Sequence, residues 1–455
     1  MGEQLYRSED GKSLNKEAIL KNFGDLRLPL NPTQARAESA RCLFCHDAPC
    51  IKACPTSIDI PGFIRQISTG NTLGSAKTIL DSNIMGGTCA RVCPTEILCE
   101  GACVYNKTGE EPIQIGQLQR HAVDHLMKAG VPHPYSRAKE TGKNVAVIGA
   151  GPAGLACAHA LAQKGHRVQV FEKRAKPGGL NEYGIAAYKM VDDFAQKEVE
   201  FLLEVGGVSI DYGRELGEDL LLSDLRADYD AVFIGLGLCE PRALRLKDTD
   251  LEQFSGEQVQ NALDFIEEIR QAEDKSQLQV GERVIVIGGG NTAIDAAVQA
   301  KRLGAREVTM AYRRGAHQMG ATQWEQELAK TNDVRVLYWL SPESIASQED
   351  GSLLVRFEET ELQGGNLQGT GEYVSLAADQ VLSAIGQSLS FKGSEQVQIQ
   401  GGKIFVNQNY ETTVAGVFAG GDCIKTGEDL TVQAVEDGKN AAQAIHSFVM
   451  EENHG

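Results

Sequence analysis

Eight of the eleven cysteines in this 455-residue chain lie between Cys42 and Cys103. They form two runs. Cys42, Cys45, Cys50 and Cys54 read C-x2-C-x4-C-x3-C-P, and Cys89, Cys93, Cys99 and Cys103 read C-x3-C-P-x4-C-x3-C. Thiolates are soft ligands, and cysteines so densely spaced in a reducing compartment bind metal or act in catalysis rather than pair as disulfides. Eight of them are enough for two iron-sulfur cubanes or for two tetrahedral zinc sites. Cys157, Cys239 and Cys423 are scattered and read as small buried residues.

A second chemistry begins at Asn144. The strand NVAVIG runs into Gly149, Ala150, Gly151, Pro152, Ala153 and Gly154, a G-x-G-x-x-G turn that opens the helix GLACAHALAQKG. The first glycine allows a tight turn, the second lets a pyrophosphate approach the backbone, and the third packs helix on strand, with the helix N-terminus facing the phosphates. Glu172 ends the next strand, where a carboxylate accepts hydrogen bonds from ribose hydroxyls. The pattern repeats about 140 residues later, with ERVIVIG followed by Gly288, Gly289, Gly290, Asn291, Thr292 and Ala293, the G-x-G-x-x-A variant. At the end of its second strand stand Arg313 and Arg314 rather than an acid. Two guanidinium groups there suit a 2′-phosphate, but His317 and Gln318 follow where a further basic residue would strengthen that preference. NADH and NADPH both remain open.

These sites need elements to hold them. The length implies two or three domains. Residues 1 to about 140 show helical stretches, such as 61–70 and 115–128, and no strand alternation. VPHPYSRAKETGK then reads as a linker. The residues from Asp333 to Leu382 alternate in short strand-like pieces that complete the second unit, and VFAGGDCIKTGEDLTVQAVEDGKNAAQAIHSF reads as strand, loop and helix. The expected fold is α/β: a helical N-terminal domain binding two [4Fe-4S] clusters, followed by two nested Rossmann-like nucleotide-binding domains. The expected boundaries are 1–140 for the cysteine-bearing domain, 141–243 with 384–455 for the first nucleotide-binding domain, and 244–383 for the second. A net charge of −18 disfavours nucleic-acid and anionic-membrane partners. No apolar leader or membrane-length apolar run occurs, so a cytoplasmic location is expected.

The stretch TVAGVFAGGD, ending in Gly421 and Asp422, resembles the second flavin-binding motif of the two-dinucleotide flavoprotein reductases. By that resemblance the first glycine turn holds FAD, Asp422 meets the ribityl chain, and a helix starting near Thr431 points its positive end at the flavin. Gly178, Gly179 and Leu180 resemble the loop passing near the flavin. The second turn is then the nicotinamide nucleotide site, by elimination and by order.

Taken with the cysteine runs, the chain from about Ala37 to Phe448 is similar to the family of glutamate synthase small subunits, bifurcating transhydrogenase large subunits and the N-terminal half of dihydropyrimidine dehydrogenase. The resemblance implies one [4Fe-4S] cluster on Cys42, Cys45, Cys50 and Cys103. The second then falls to Cys54, Cys93 and Cys99 with one further ligand. By residue type that ligand is Cys89, since thiolate is the better iron donor. The pyrimidine-reducing relatives instead use a glutamine in a segment resembling IGQLQR, which points to Gln119. PGGLNEYGIAAYKM and VFIGLGLCEP also look closest to those relatives. The implied activity is oxidation of NAD(P)H at FAD and passage of electrons through the clusters, with no catalytic side chain in the reaction itself. The implied partner, in a hetero-oligomer, is a catalytic subunit carrying FMN, further iron-sulfur clusters and the pyrimidine site. A glutamate synthase or transhydrogenase subunit is the alternative implied by the same family.

Overall fold

The computed structural model describes residues 14–238, 240–247, 249–390, 396–425 and 427–451. The chain is divided between two compact units, one built from 27–182, 192–240 and 388–455, the other from 1–26, 183–191 and 241–387.

The first unit holds the cysteine region and a parallel five-stranded sheet. The strand Asn144–Ile148 is apolar and buried from Val145 onward, as a strand covered on both faces must be. It lies between Arg167–Glu172 and Ala231–Ile234, with Val147 opposite Val170 and Phe233; Val208–Tyr212 and Val417–Ala419 form the edges. The helices Pro152–Gln163 and Thr431–Glu451 pack against each other beside this sheet. Gly438 is where they come closest, because a Cβ there would lie 2.1 Å from the Ala153 carbonyl oxygen. A glycine-to-alanine change inside a helix ordinarily stabilises. Gly438→Ala is expected to do the reverse, destabilising by about 1–3 kcal/mol through overpacking, read as a lowered midpoint in thermal unfolding.

The cysteines sit among six short helices, from Pro32–Ala40 to Ile115–Lys128. Asn31, Asp59 and Asn71 cap three of them through their side chains, which lets such short helices begin where they do. Ile60, Phe63, Ile64, Ile79 and Leu118 form the core, and Cys42, Cys50, Cys54, Cys99 and Cys103 pack against it.

The second unit repeats the dinucleotide architecture. Its parallel sheet runs Val259–Asn261, Gln380–Ala384, Arg283–Gly288, Glu307–Tyr312 and Val334–Tyr338, beside an antiparallel sheet of Leu340–Ser347, Leu353–Gln363 and Asn366–Ala378. The alternating pieces after Asp333 therefore serve two sheets. Two short segments from elsewhere in the sequence complete this unit. The helix Lys16–Asn22 places Ile19 and Phe23, and residues 183–191 place Ala186, Ala187 and Tyr188, in the core formed by the helix Asn291–Leu303. Asn22 and Arg302 exchange hydrogen bonds, 2.9 Å from the Asn22 amide to the Arg302 carbonyl and 2.6 Å in return. A single helical domain over the first 140 residues is thus not what the chain forms at its start: Ile19 and Phe23 find their apolar partners in the nucleotide unit. Lys189 is buried there between Asp295 and Glu325, at 2.7 and 2.5 Å.

Candidate cofactor sites

Cys42, Cys45, Cys50 and Cys103 line one cavity, closed by Ile60, Ile64, Tyr105, Ile113 and Ile115. Two residues between these cysteines, Phe44 and Ala48, hold left-handed backbone with φ 51° and 30°. Non-glycine residues adopt that conformation at a cost and mostly at functional sites; here it wraps the loop around the cavity. Burial pushes the Cys50 thiol up to about 11 and raises that of Cys42, so these sulfurs stay protonated until a cation displaces the protons. Among the described residues no three His, Cys, Asp or Glu side chains converge on a point that would hold a single ion. Thiols that ring a cavity suit a polynuclear cluster bound at its corners.

The second set gathers around Cys93, which feels Cys89, Cys99 and Cys54 as neighbours; its thiol is raised first by a hydrogen bond with Cys89 and then by burial. The helix Gly86–Val92 explains the pairing, since Cys89 lies one turn before Cys93, which closes the helix with its N–H on the Cys89 carbonyl. Gln119 is buried on the helix Ile115–Lys128 and donates its amide nitrogen to the Gly86 carbonyl at 2.7 Å. That bond holds Gln119 at the start of the helix carrying Cys89 and leading to Cys93 and leaves its amide oxygen uncommitted by that contact. Cys89 thus sits within the second set, and Gln119 sits at the start of the helix that carries it.

At the first glycine turn, Gly149 has φ 95°, and a Cβ would meet the Gly235 carbonyl oxygen at 2.5 Å; one on Gly154 would meet the Gly149 carbonyl oxygen at 1.9 Å. Gly151 differs, its nearest neighbour being the Cα of Gly179 at 3.9 Å. That is a cradle a side chain would fill. Gly151 and Pro152 open the helix Pro152–Gln163 with no side-chain cap, leaving its first N–H groups for a ligand. Ala153 is buried in the helix. Gly178 donates its N–H to the Ala150 carbonyl at 2.7 Å, so the loop carrying Gly179 and the exposed Leu180 is pinned against the turn. The buried Glu172 carboxylate accepts the N–H groups of Ala150 at 2.7 Å and Arg174 at 2.8 Å, presetting it beneath the turn. Gly421 packs on the Ala153 methyl and donates its N–H to Asp437. Asp422 is largely buried, which pushes its carboxyl up to about 6, with Asp429 adding to the shift. The helix Thr431–Glu451 begins at the expected residue.

At the second turn, a Cβ on Gly288 would strike the Ala384 carbonyl oxygen at 2.3 Å and one on Gly289 the Tyr312 ring at 2.5 Å, while Gly290 has open space. Gly290 and Asn291 open an uncapped helix that continues through Thr292 and the buried Ala293. Asn291 accepts the Thr322 N–H at 3.2 Å, folding the following loop back on the turn. The backbone carbonyls of Arg313 and Arg314 are fixed by Thr360 and by the Trp339 N–H. Their side chains enter no ion pair among the described residues, so both charges are available to a ligand. His317 is exposed.

The spacing of cysteines and glycines pointed to these residues, but three buried acids were missed. Asp437 accepts Gly421 and the Gln433 amide, and only a glycine after it in mid-helix hinted at a crowded position. Glu198 gave no signal, because FAQKEVEFLL reads as a helix with a charged outer face. Asp295 looked like an ordinary helix residue. Cys157 and Cys423 are buried as expected; Cys239 lies outside the described residues.

Residues 143–438 match the family described as pyridine nucleotide-disulphide oxidoreductase, and residues 19–131 match dihydropyrimidine dehydrogenase domain II, 4Fe-4S cluster. The FprA oxidoreductase of Mycobacterium tuberculosis, as its His57Gln mutant, shares the fold with a TM-score of 0.58 and 19% identity, over 69% of this chain and 86% of that one. The class is therefore a two-nucleotide oxidoreductase preceded by a 4Fe-4S domain. The NAD-dependent dihydropyrimidine dehydrogenase subunit PreT of Escherichia coli K12 is 35% identical over 90% of this chain and 93% of its own length. The small chain of the NADPH glutamate synthase from the same organism is 32% identical, over 94% of each chain. This chain belongs to the family that contains both. Among the described residues no helix is long and apolar enough to cross a membrane.

Proposed function

We propose that this chain is the electron-input subunit of an NAD(P)H-dependent dihydropyrimidine dehydrogenase. The observation that carries the reading is the joining, in one chain similar to PreT, of two glycine turns with open cradles to two separate groups of thiols. When bound, the nicotinamide nucleotide supplies a hydride, FAD converts it into single electrons, and two [4Fe-4S] clusters conduct them to a partner subunit that reduces uracil or thymine at FMN.

The protein's own part is to hold and to insulate. Gly149, Gly151 and Gly154 admit the FAD pyrophosphate, Glu172 takes ribose hydroxyls, and Asp422, Gly179 and Leu180 approach the remainder of that cofactor. Gly288, Gly290, Asn291 and Thr292 do the same for the nicotinamide nucleotide. Cys42, Cys45, Cys50 and Cys103 hold one cluster, and Cys54, Cys93, Cys99 and the Gln119 oxygen the other. An amide in place of a thiolate leaves that site one negative charge poorer, which tunes its potential.

Arg313 and Arg314 favour a 2′-phosphate. The double change Arg313→Ala with Arg314→Ala is expected to lower kcat/KM for NADPH by about 10²-fold, the loss of two charge-assisted contacts, and that for NADH by under about threefold. Equal losses for both nucleotides would place the two side chains on the part of the molecule they share.

The decisive assay is uracil-dependent oxidation of NADH and NADPH by the chain co-purified with a candidate FMN subunit. Turnover with uracil is expected. Oxidation that instead requires 2-oxoglutarate and glutamine with an amidotransferase subunit would make the chain a glutamate synthase small subunit.

A further inference from the structure

The cysteine region meets the first dinucleotide fold through apolar packing of Ile84 and Met85 and through polar contacts, of which Lys439 to the Ser82 carbonyl is one and Glu198 is the buried one. The helix Phe194–Leu203 belongs to the dinucleotide fold, where Val199 and Leu202 share a core with Leu155 and Ala156 of the helix behind the glycine turn. Next to Val199 on that helix, Glu198, 1% exposed, reaches the helix Gly86–Val92 and accepts the N–H groups of Gly87 at 2.8 Å and Thr88 at 3.0 Å. One turn earlier Phe194 lies under the Arg91 guanidinium, 3.4 Å from the ring centre, and Arg91 in turn bonds the Gly87 carbonyl and Asp124. The approach is as close as the chain allows: a Cβ on Gly87 would lie 2.4 Å from Phe194 and 2.8 Å from Glu198. Burial pushes the Glu198 carboxyl up to about 7, against the Thr88 and Gly87 groups that bond it and the nearby Arg91 charge. Burying a carboxyl is costly, and apolar packing alone would join two helices more cheaply. The helix so gripped is the one that carries Cys89, ends at Cys93 and is touched by Gln119.

We propose that Glu198 is a positioning residue for electron transfer: it fixes the helix leading to Cys93 against the dinucleotide fold and thereby sets how fast single electrons pass from the flavin to the second cluster. The inference rests on the cofactor reading above. Two electrons still enter as one hydride from the nicotinamide nucleotide, and one leaves per transfer through that cluster, so only the second process depends on Glu198.

The test is rapid mixing of the full chain with NADH and with NADPH, following flavin absorbance and the paramagnetic signal of the reduced cluster. In Glu198→Ala, flavin reduction is expected to stay within about twofold while cluster reduction slows about tenfold or more, the scale of a small misplacement of reacting groups. Glu198→Gln keeps an oxygen for the same two N–H groups and is expected to restore the rate to within about threefold of the unaltered chain. Should Glu198→Ala fail to fold, Phe194→Leu loosens the same contact and is expected to slow the same step. Unchanged cluster reduction, equal slowing of both steps, or a glutamine variant as slow as the alanine one would each overturn the proposal. Iron and labile sulfide in the unaltered chain separate the two levels: their absence would defeat the cofactor reading, while their presence with an indifferent Glu198 would defeat only this inference.

Discussion

Cys50→Ala is expected to remove about half of the bound iron and to abolish electron delivery to a partner subunit, by roughly 10²-fold or more, with nicotinamide-driven flavin reduction intact. Cys50 lines the cavity with Cys42, Cys45 and Cys103, so its loss leaves that set with three sulfurs. The glycine turns and their strands make no use of it. Iron and sulfide analysis gives the first half of the result, and rapid reduction by NADH or NADPH gives the second. The same assay applied to Cys89→Ala and Gln119→Ala decides the remaining ligand. Iron is expected to survive the change at Cys89 and to fall with the change at Gln119. Loss of flavin reduction in Cys50→Ala would mean that the cluster region supports the dinucleotide fold rather than draining electrons from it.

Lys189→Met is expected to destabilise the second unit by about 3–5 kcal/mol, because Asp295 and Glu325 would be left buried without their counter-ion. Lys189, Asp295 and Glu325 are all nearly inaccessible to solvent, so water cannot take over the lost charge. Tyr188 adds its hydroxyl to Asp295 at 3.1 Å, and Arg302 lies 4.0 Å over the Tyr188 ring. A Lys189→Met, Asp295→Asn, Glu325→Gln triple variant removes the stranded charges and is expected to recover most of the loss. Thermal unfolding of the three proteins reads the effect. A single variant as stable as the parent would show that the two carboxylates take up protons at little cost.

Much of this was visible in the sequence, for identifiable reasons. A glycine turn between a strand and a helix obeys steric rules that act over six residues, and Gly149, Gly154 and Gly288 sit where those rules require. The cysteine spacing likewise reports a local need for several sulfurs around one group. Glu198, Lys189 and Ile19 were not legible. Each acts through a partner far away in the chain: Glu198 is 111 residues from Gly87, and Lys189 is 136 from Glu325. A single charged residue in an amphipathic helix looks the same whether water or a buried N–H awaits it. Residues ahead of the cysteines were grouped with them by adjacency, whereas the apolar groove that accepts Ile19 and Phe23 is built largely by residues after 260.

The bonds between Asn22 and Arg302 span 280 residues, and that span is also an interval of time. At about 5–20 residues per second of synthesis, the N-terminal helix leaves the ribosome roughly 14–56 s before the helix that receives it. For that interval Ile19 and Phe23 have no native place to go, and the nascent chain carries an unburied apolar segment. The nucleotide unit is thus completed by a piece made well before the helix that receives it, and a chaperone that shelters the segment around Ile19 and Phe23 during translation is expected to raise the yield of folded protein.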